Sequence, residues 1–155
     1  MKETPWVVLK FGGSSVATGQ RWKEIVRIVH QRAQHHRVLV VCSALTGISD
    51  MLESLPRATL GGQYKPILEA IKVQHHALAD SLGVDVTQRL SSLCGDLDRL
   101  CLGASLVGEF GPRLRARVLS AGELLSTRIG AGFLHQMGID CDWLDARTCL
   151  TSQGA

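Results

Sequence analysis

Trp6-Val7-Val8-Leu9-Lys10-Phe11-Gly12-Gly13 and, one helix later, Arg37-Val38-Leu39-Val40-Val41-Cys42 are the two stretches on which the fold turns. Trp6 to Lys10 reads as a short buried strand, ended by the breaker pair Gly12-Gly13. Arg37 to Cys42 reads as a second strand, apolar without alternation, a pattern that predicts burial on both faces of a parallel sheet covered by helices. Between them Trp22, Ile25, Val26, Val29 and Ala33 lie on one stripe of a helix spanning about Gln20 to His36. Strand, helix and strand in this order form a βαβ unit.

Further along the chain the pattern is helical. Ile67, Ile71, Leu78 and Leu82 define one stripe, with His75 on the same face and Gly83 closing the element. Val86, Leu90, Leu93, Leu97 and Leu100 follow a 4-3-4-3 spacing. That seam lasts only about two heptads, too short for a coiled coil, and predicts one helix of a hairpin packed on the sheet. After Gly103, Gly108 and Gly111, Pro112 suits the first turn of a helix running to about Met137 and closed by Gly138. Ile139 to Leu144 reads as a third strand. The closing residues Thr151-Ser152-Gln153-Gly154-Ala155 complete no element and read as a cut.

Composition narrows the function classes. The 155 residues are 45% hydrophobic and 20% charged, enough apolar material for one core. A net charge of +3 with only 5% aromatic residues argues against a nucleic-acid module. Arg113, Arg115 and Arg117 alternate along a helix, so they point to different faces and read as a solvated surface. Five cysteines (Cys42, Cys94, Cys101, Cys141 and Cys149), odd in number and without C-x-x-C spacing, read as reduced buried thiols of a cytoplasmic protein. The doublets His35-His36 and His75-His76 diverge on a helix, so neither makes a metal site alone. The opening residues lack the long apolar stretch of a signal peptide, and no run approaches a membrane span.

Three motifs carry chemistry. The first, Lys10-Phe11-Gly12-Gly13-Ser14-Ser15-Val16, follows the first strand at the sheet edge where open α/β folds bind ligands. Its glycines let backbone N–H groups approach a bulky anion, with Lys10 as a mobile charge and Ser14 and Ser15 as further donors. It matches neither the P-loop nor the dinucleotide fingerprint. A tight turn with a chance lysine would look the same. The second, Ser43-Ala44-Leu45-Thr46-Gly47-Ile48-Ser49-Asp50, leaves the second strand at the same edge and leads into a helix, whose N-terminus favours anions or is simply capped by a hydroxyl. The third, Leu119-Ser120-Ala121-Gly122-Glu123-Leu124-Leu125-Ser126, lies within the long helix. Leu114, Val118, Ala121, Leu125 and Ile129 form its core stripe. Glu123 sits ~200° round from Ala121, away from that core, on a ridge with Ser120 and Thr127, and taken alone it reads as a solvated helical glutamate. Gly122 costs ~1 kcal/mol relative to Ala inside a helix, which close approach by a ligand or another backbone would justify.

In order and rough spacing the three motifs resemble those of aspartate kinases in the amino-acid kinase superfamily, over about Val7 to Leu150. Ser49 and Asp50 replace a Thr-Asn-like pair, and Ala121 replaces a commonly bulkier residue. The resemblance implies a three-layer αβα sandwich with a mostly parallel sheet, residues 1–155 being the amino-terminal lobe of the catalytic domain. It implies that Lys10, Gly12, Gly13 and Ser14 hold the ATP phosphates, with Lys10 steadying the transferring group. Ser43 and Ser49 would lie near L-aspartate, and Glu123 would bind its α-ammonium. Mg²⁺ would be held mainly by the phosphates, with no protein metal ligand in this chain. The acceptor carboxylate, with a pKa of ~3.9, needs no general base. The family's Gly-Arg-Gly-Gly-Ser-Asp-like segment and its nucleotide-base pocket are missing, so the chain alone is expected to be inactive. The full-length protein would be a homo-oligomer, whether or not fused to a second enzyme, and its product would enter lysine, threonine and methionine synthesis. A related kinase acting on glutamate or acetylglutamate, and a non-catalytic interaction lobe, are the alternative readings.

Overall fold

The computed structural model describes residues 4–150; the readings placed on the first three residues and on 151–155 lie outside the described residues. β1 (Trp6–Phe11) and β2 (Arg37–Cys42) pair in parallel, in register from Trp6 opposite Arg37 to Phe11 opposite Cys42. Between them run a single turn, α1 (Gly13–Val16), and α2 (Gly19–Ala33), so the βαβ unit is as the sequence predicts. The Thr18 hydroxyl caps α2 by accepting from the Arg21 N–H at 3.4 Å. Trp22, Ile25 and Val29 form the buried stripe of α2, whereas Ala33 is exposed.

The sheet is covered on one side only among the described residues. Val7, Leu9, Val38 and Val40 are half-buried, but Trp6, Val8, Leu39 and Val41 on the opposite face remain 59%, 60%, 42% and 41% exposed. This corrects the expectation of burial on both faces. An unbroken apolar strand reports two covering layers, and these residues contribute cover to one.

α3 (Ile48–Leu60), α4 (Lys65–Leu82) and α5 (Thr87–Val107) make up the middle of the chain. Gly83 ends α4 at φ 64°, a left-handed value that only glycine adopts at little cost. α4 and α5 form the expected hairpin, but α5 packs chiefly on α3, α4 and α7, while β2 is packed by α2 and α7. Leu90, Leu97, Cys101 and Ala104 are the buried line of α5.

The helix expected from Pro112 to Met137 is in fact two, α6 (Pro112–Leu119) and α7 (Ala121–Gln136). At the break the Ser120 hydroxyl donates to the Arg117 carbonyl at 2.8 Å, competing with the helical ladder. Ile139 to Leu144 forms no strand, which corrects the third expected one. No neighbouring strand among the described residues takes up its ladder bonds, and side chains tie it to α7 instead. Trp143 donates to the Thr127 hydroxyl at 3.0 Å and lies under the Arg128 guanidinium, 3.3 Å from the ring centre. α8 (Ala146–Cys149) follows, capped by Asp145.

α7 approaches its neighbours through glycines. A Cβ on Gly130 would stand 2.0 Å from the Trp22 ring, and one on Gly132 would stand 2.8 Å from Val84. Trp22 in turn donates its indole N–H to the Val16 carbonyl at 2.9 Å, anchoring the end of the glycine turn to the core. All five cysteines are free; Cys42 and Cys101 are buried as expected, but Cys149 is exposed. Burial pushes the Cys42 thiol up to about 11, so it is an inert core group. Among the described residues no helix is long and apolar enough to cross a membrane.

His75 is fully buried on α4. Its Nδ1 donates to the Ile71 carbonyl at 2.7 Å, which leaves Nε2 as a buried acceptor without a partner. Burial, with the nearby His76 adding to it, holds the pKa below the usual histidine value. The unfolded chain therefore binds a proton that the folded chain refuses, and stability is lost as pH falls below ~6.5. The urea midpoint is expected to drop between about pH 7.5 and 5.5, and to drop less in His75→Leu; an equal drop in both proteins would locate the acid sensitivity elsewhere.

Candidate functional site

Both strands end at the same edge of the sheet, and the first two motifs leave from it. After Phe11 the chain turns at Gly12, whose carbonyl accepts from the N–H groups of Ser15 and Val16 at 2.9 and 3.3 Å. Lys10 is exposed, and its Nζ lies 3.9 Å from where a Cβ on Gly12 would stand, so the ammonium sits over the turn. Gly13 faces the second motif. A Cβ there would lie 2.7 Å from the Ala44 carbonyl oxygen, which is why no larger residue fits without moving the loop.

Ser43 is the junction of the site. Its N–H donates to the Phe11 carbonyl at 3.0 Å, extending the ladder one residue past β2. The Ser126 hydroxyl on α7 donates to its carbonyl at 2.8 Å. The next N–H, that of Ala44, donates to Oε1 of Glu123 at 3.4 Å. The third motif, 79 residues further along, is thereby fastened to the second. Gly122 permits this approach: a Cβ on it would stand 2.7 Å from Ala44 Cβ, 3.1 Å from Leu52 and 3.2 Å from Ile48. Of the two reasons that could justify a glycine inside this helix, close packing of another segment is the one observed.

The sequence-derived residues thus fall into two groups. Lys10, Gly12, Gly13, Ser43 and Glu123 occupy one continuous region, linked through the Ser43–Ala44 segment. Ser14 in α1 and Ser49 in the first turn of α3 are both exposed, and their hydroxyls make no hydrogen bond among the described residues. Neither Lys10 nor Glu123 has an oppositely charged side chain in ion-pair range among the described residues. An accessible cation and an accessible carboxylate at one sheet edge suit an anion and an ammonium group respectively.

Two contributors escaped the sequence reading. Ser126 is fully buried although its hydroxyl carries the link to Ser43. Gln74 on α4 donates to the Thr46 carbonyl at 3.1 Å and steadies the second motif. Ser126 closes the third motif as quoted, but only its position one step past the core residue Leu125 hinted at burial. For Gln74 the sequence carries no signal. A separate groove between α4 and α5, lined by Lys65, Glu69, Lys72, Cys94 and Asp98, shares no residue with this edge. Among the described residues no cluster of three His, Cys, Asp or Glu side chains could hold a metal ion.

Comparison with known proteins bears on this arrangement. The sequence profile described as the amino acid kinase family matches residues 5–154. The chain is 31% identical to the bifunctional aspartokinase/homoserine dehydrogenase 1 of Arabidopsis thaliana, over 96% of its own length and 17% of that protein. It is 30% identical to the aspartokinase of Chlamydia muridarum, over 94% of its length and 31% of that enzyme. The structure superposes on Escherichia coli aspartokinase III in complex with aspartate and ADP with a TM-score of 0.79 at 28% identity, covering 92% of this chain and 31% of that one. The chain therefore spans less than a third of the length of each of these relatives.

The packing at Gly122 can be tested directly. Gly122→Ala should gain ~1 kcal/mol of helix propensity, yet the contact with Ala44 is expected to turn this into a net loss of about 1–3 kcal/mol by overpacking. The urea midpoint reads the sign, and a raised midpoint would mean that the Ala44 loop yields freely.

Proposed function

The chain belongs to the amino acid kinase family, and from that premise we propose that its parent protein is an aspartate kinase. The parent would transfer the γ-phosphoryl group of ATP to the side-chain carboxylate of L-aspartate. Residues 1–155 would form the amino-terminal lobe of its catalytic domain. Relatives named aspartokinase and the aspartate- and ADP-bound structural neighbour support this reading. The observation that carries it is the convergence of the Lys10 turn and Glu123 on the Ser43–Ala44 segment, which brings an accessible cation and an accessible carboxylate to one edge of the sheet.

In this reading Lys10 and the N–H groups around Gly12, Gly13 and Ser14 receive the nucleotide phosphates. Glu123 receives the α-ammonium of the acceptor, and Ser43 and Ser49 flank it. Such a site needs no base, because a carboxylate with a pKa of ~3.9 is already ionised. Its task is to hold two mutually repelling anions in line. A lysine and preorganised N–H donors do so by neutralising charge that accumulates on the transferring group. Mg²⁺ would be held mainly by the phosphates and would supply further neutralisation there. A cytoplasmic homo-oligomer feeding lysine, threonine and methionine synthesis completes the proposal.

The decisive assay follows ADP release by the parent polypeptide with aspartate, glutamate and N-acetylglutamate in turn. Aspartate-dependent turnover is expected; preference for either of the other acceptors would overturn the assignment. Lys10→Ala is expected to lower kcat roughly 10²–10³-fold. Glu123→Gln should raise the KM for aspartate about tenfold or more while leaving that for ATP nearly unchanged. The 155-residue chain by itself is expected to show no turnover.

A further inference from the structure

We propose that Ser126 is a positioning residue that sets the orientation of the Glu123 carboxylate by gripping the peptide unit between Ser43 and Ala44. This rests on the reading of Glu123 as the contact for the acceptor's α-ammonium.

The carbonyl of Ser43 and the N–H of Ala44 belong to one rigid, planar unit. α7 holds both ends of it. The Ser126 hydroxyl donates to the carbonyl at 2.8 Å, and Glu123 Oε1, one turn earlier on the same face, accepts from the N–H at 3.4 Å. Ser126 has a single hydroxyl proton. Its second contact, to the Glu123 carbonyl, is longer at 3.2 Å, so the Ser43 carbonyl is the principal acceptor. The side chain is 0% exposed on a helix that otherwise buries Leu124, Leu125, Ile129 and Phe133. An alanine would suit such a place better by propensity, so the hydroxyl answers to its partner and not to the helix.

The tether has a chemical consequence. With Oε1 engaged by a backbone amide, the other carboxylate oxygen of Glu123 is the one available to an ammonium group. If the peptide plane rotates, Oε1 loses its donor and the glutamate, exposed as it is, samples other rotamers. Ser126 therefore acts on acceptor binding through Glu123, without touching the acceptor.

The experiment compares wild-type parent polypeptide with Ser126→Ala and Ser126→Thr. The alanine variant is expected to raise the KM for the amino-acid acceptor about fivefold, with the KM for ATP within about twofold of wild type. Threonine keeps the donor and should restore the acceptor KM. Combined with Glu123→Gln, Ser126→Ala should add little, because both changes spoil one contact. Hydrogen exchange supplies a readout independent of turnover: protection of the Ala44 amide should fall in the alanine variant, while that of core amides such as Leu125 stays. Unchanged Ala44 protection, equal rises in both KM values, or multiplicative effects with Glu123→Gln would each overturn the proposal. The acceptor panel on wild-type parent tests the aspartate assignment separately, since the variant-to-wild-type ratio is read on whichever amino acid is the acceptor.

Discussion

One peptide unit, between Ser43 and Ala44, holds the candidate site together. Through the N–H of Ser43 it is continuous with β1, and through its own carbonyl and N–H it is bound to α7. Buried polar groups are costly unless paired, so the pairing of the Ser43 carbonyl with a side chain from a distant helix makes the loop and the helix a single mechanical body. Two motifs that leave adjacent strands, and a third that lies about eighty residues on, share an edge of the sheet through the two hydrogen bonds that α7 makes to this unit.

Close backbone approach is the condition for that arrangement, and glycines supply it at several points. Gly13 lets the first turn abut the Ala44 carbonyl, Gly122 lets α7 lie on Ala44 and Ile48, and Gly130 admits the edge of the Trp22 ring. Trp22 closes the circuit by donating to the Val16 carbonyl, so the glycine turn, α2 and α7 are fixed relative to one another. In a close-packed interior such contacts transmit displacement directly, which ties the geometry of Lys10 and Glu123 to packing far from either.

The open face of the sheet has a different character. Trp6, Val8, Leu39 and Val41 are apolar and accessible, and Arg37 lies over the Trp6 ring, 4.3 Å from its centre. An apolar sheet face of this kind is what a second covering layer would bury, and relatives such as the Chlamydia muridarum aspartokinase are about three times the length of the chain.

Much was legible in the residues alone. The unbroken apolar strands, the amphipathic stripe of α2, the glycine ending α4 and the outward placement of Glu123 all follow from local periodicity, which side-chain geometry makes readable within a few turns. The division of one helix into α6 and α7 was not legible, because it depends on which group wins the Arg117 carbonyl. Nor was the fate of Ile139 to Leu144, since strand character needs a partner strand and these residues find α7 instead. The amino-acid sequence by itself determined the βαβ class, the three motifs and the residue types that face an edge. Tertiary structure alone decided that Ser126 is interior and bonded to Ser43, and that Gly122 serves packing, because long-range hydrogen bonds and close contacts leave no period in the chain that makes them.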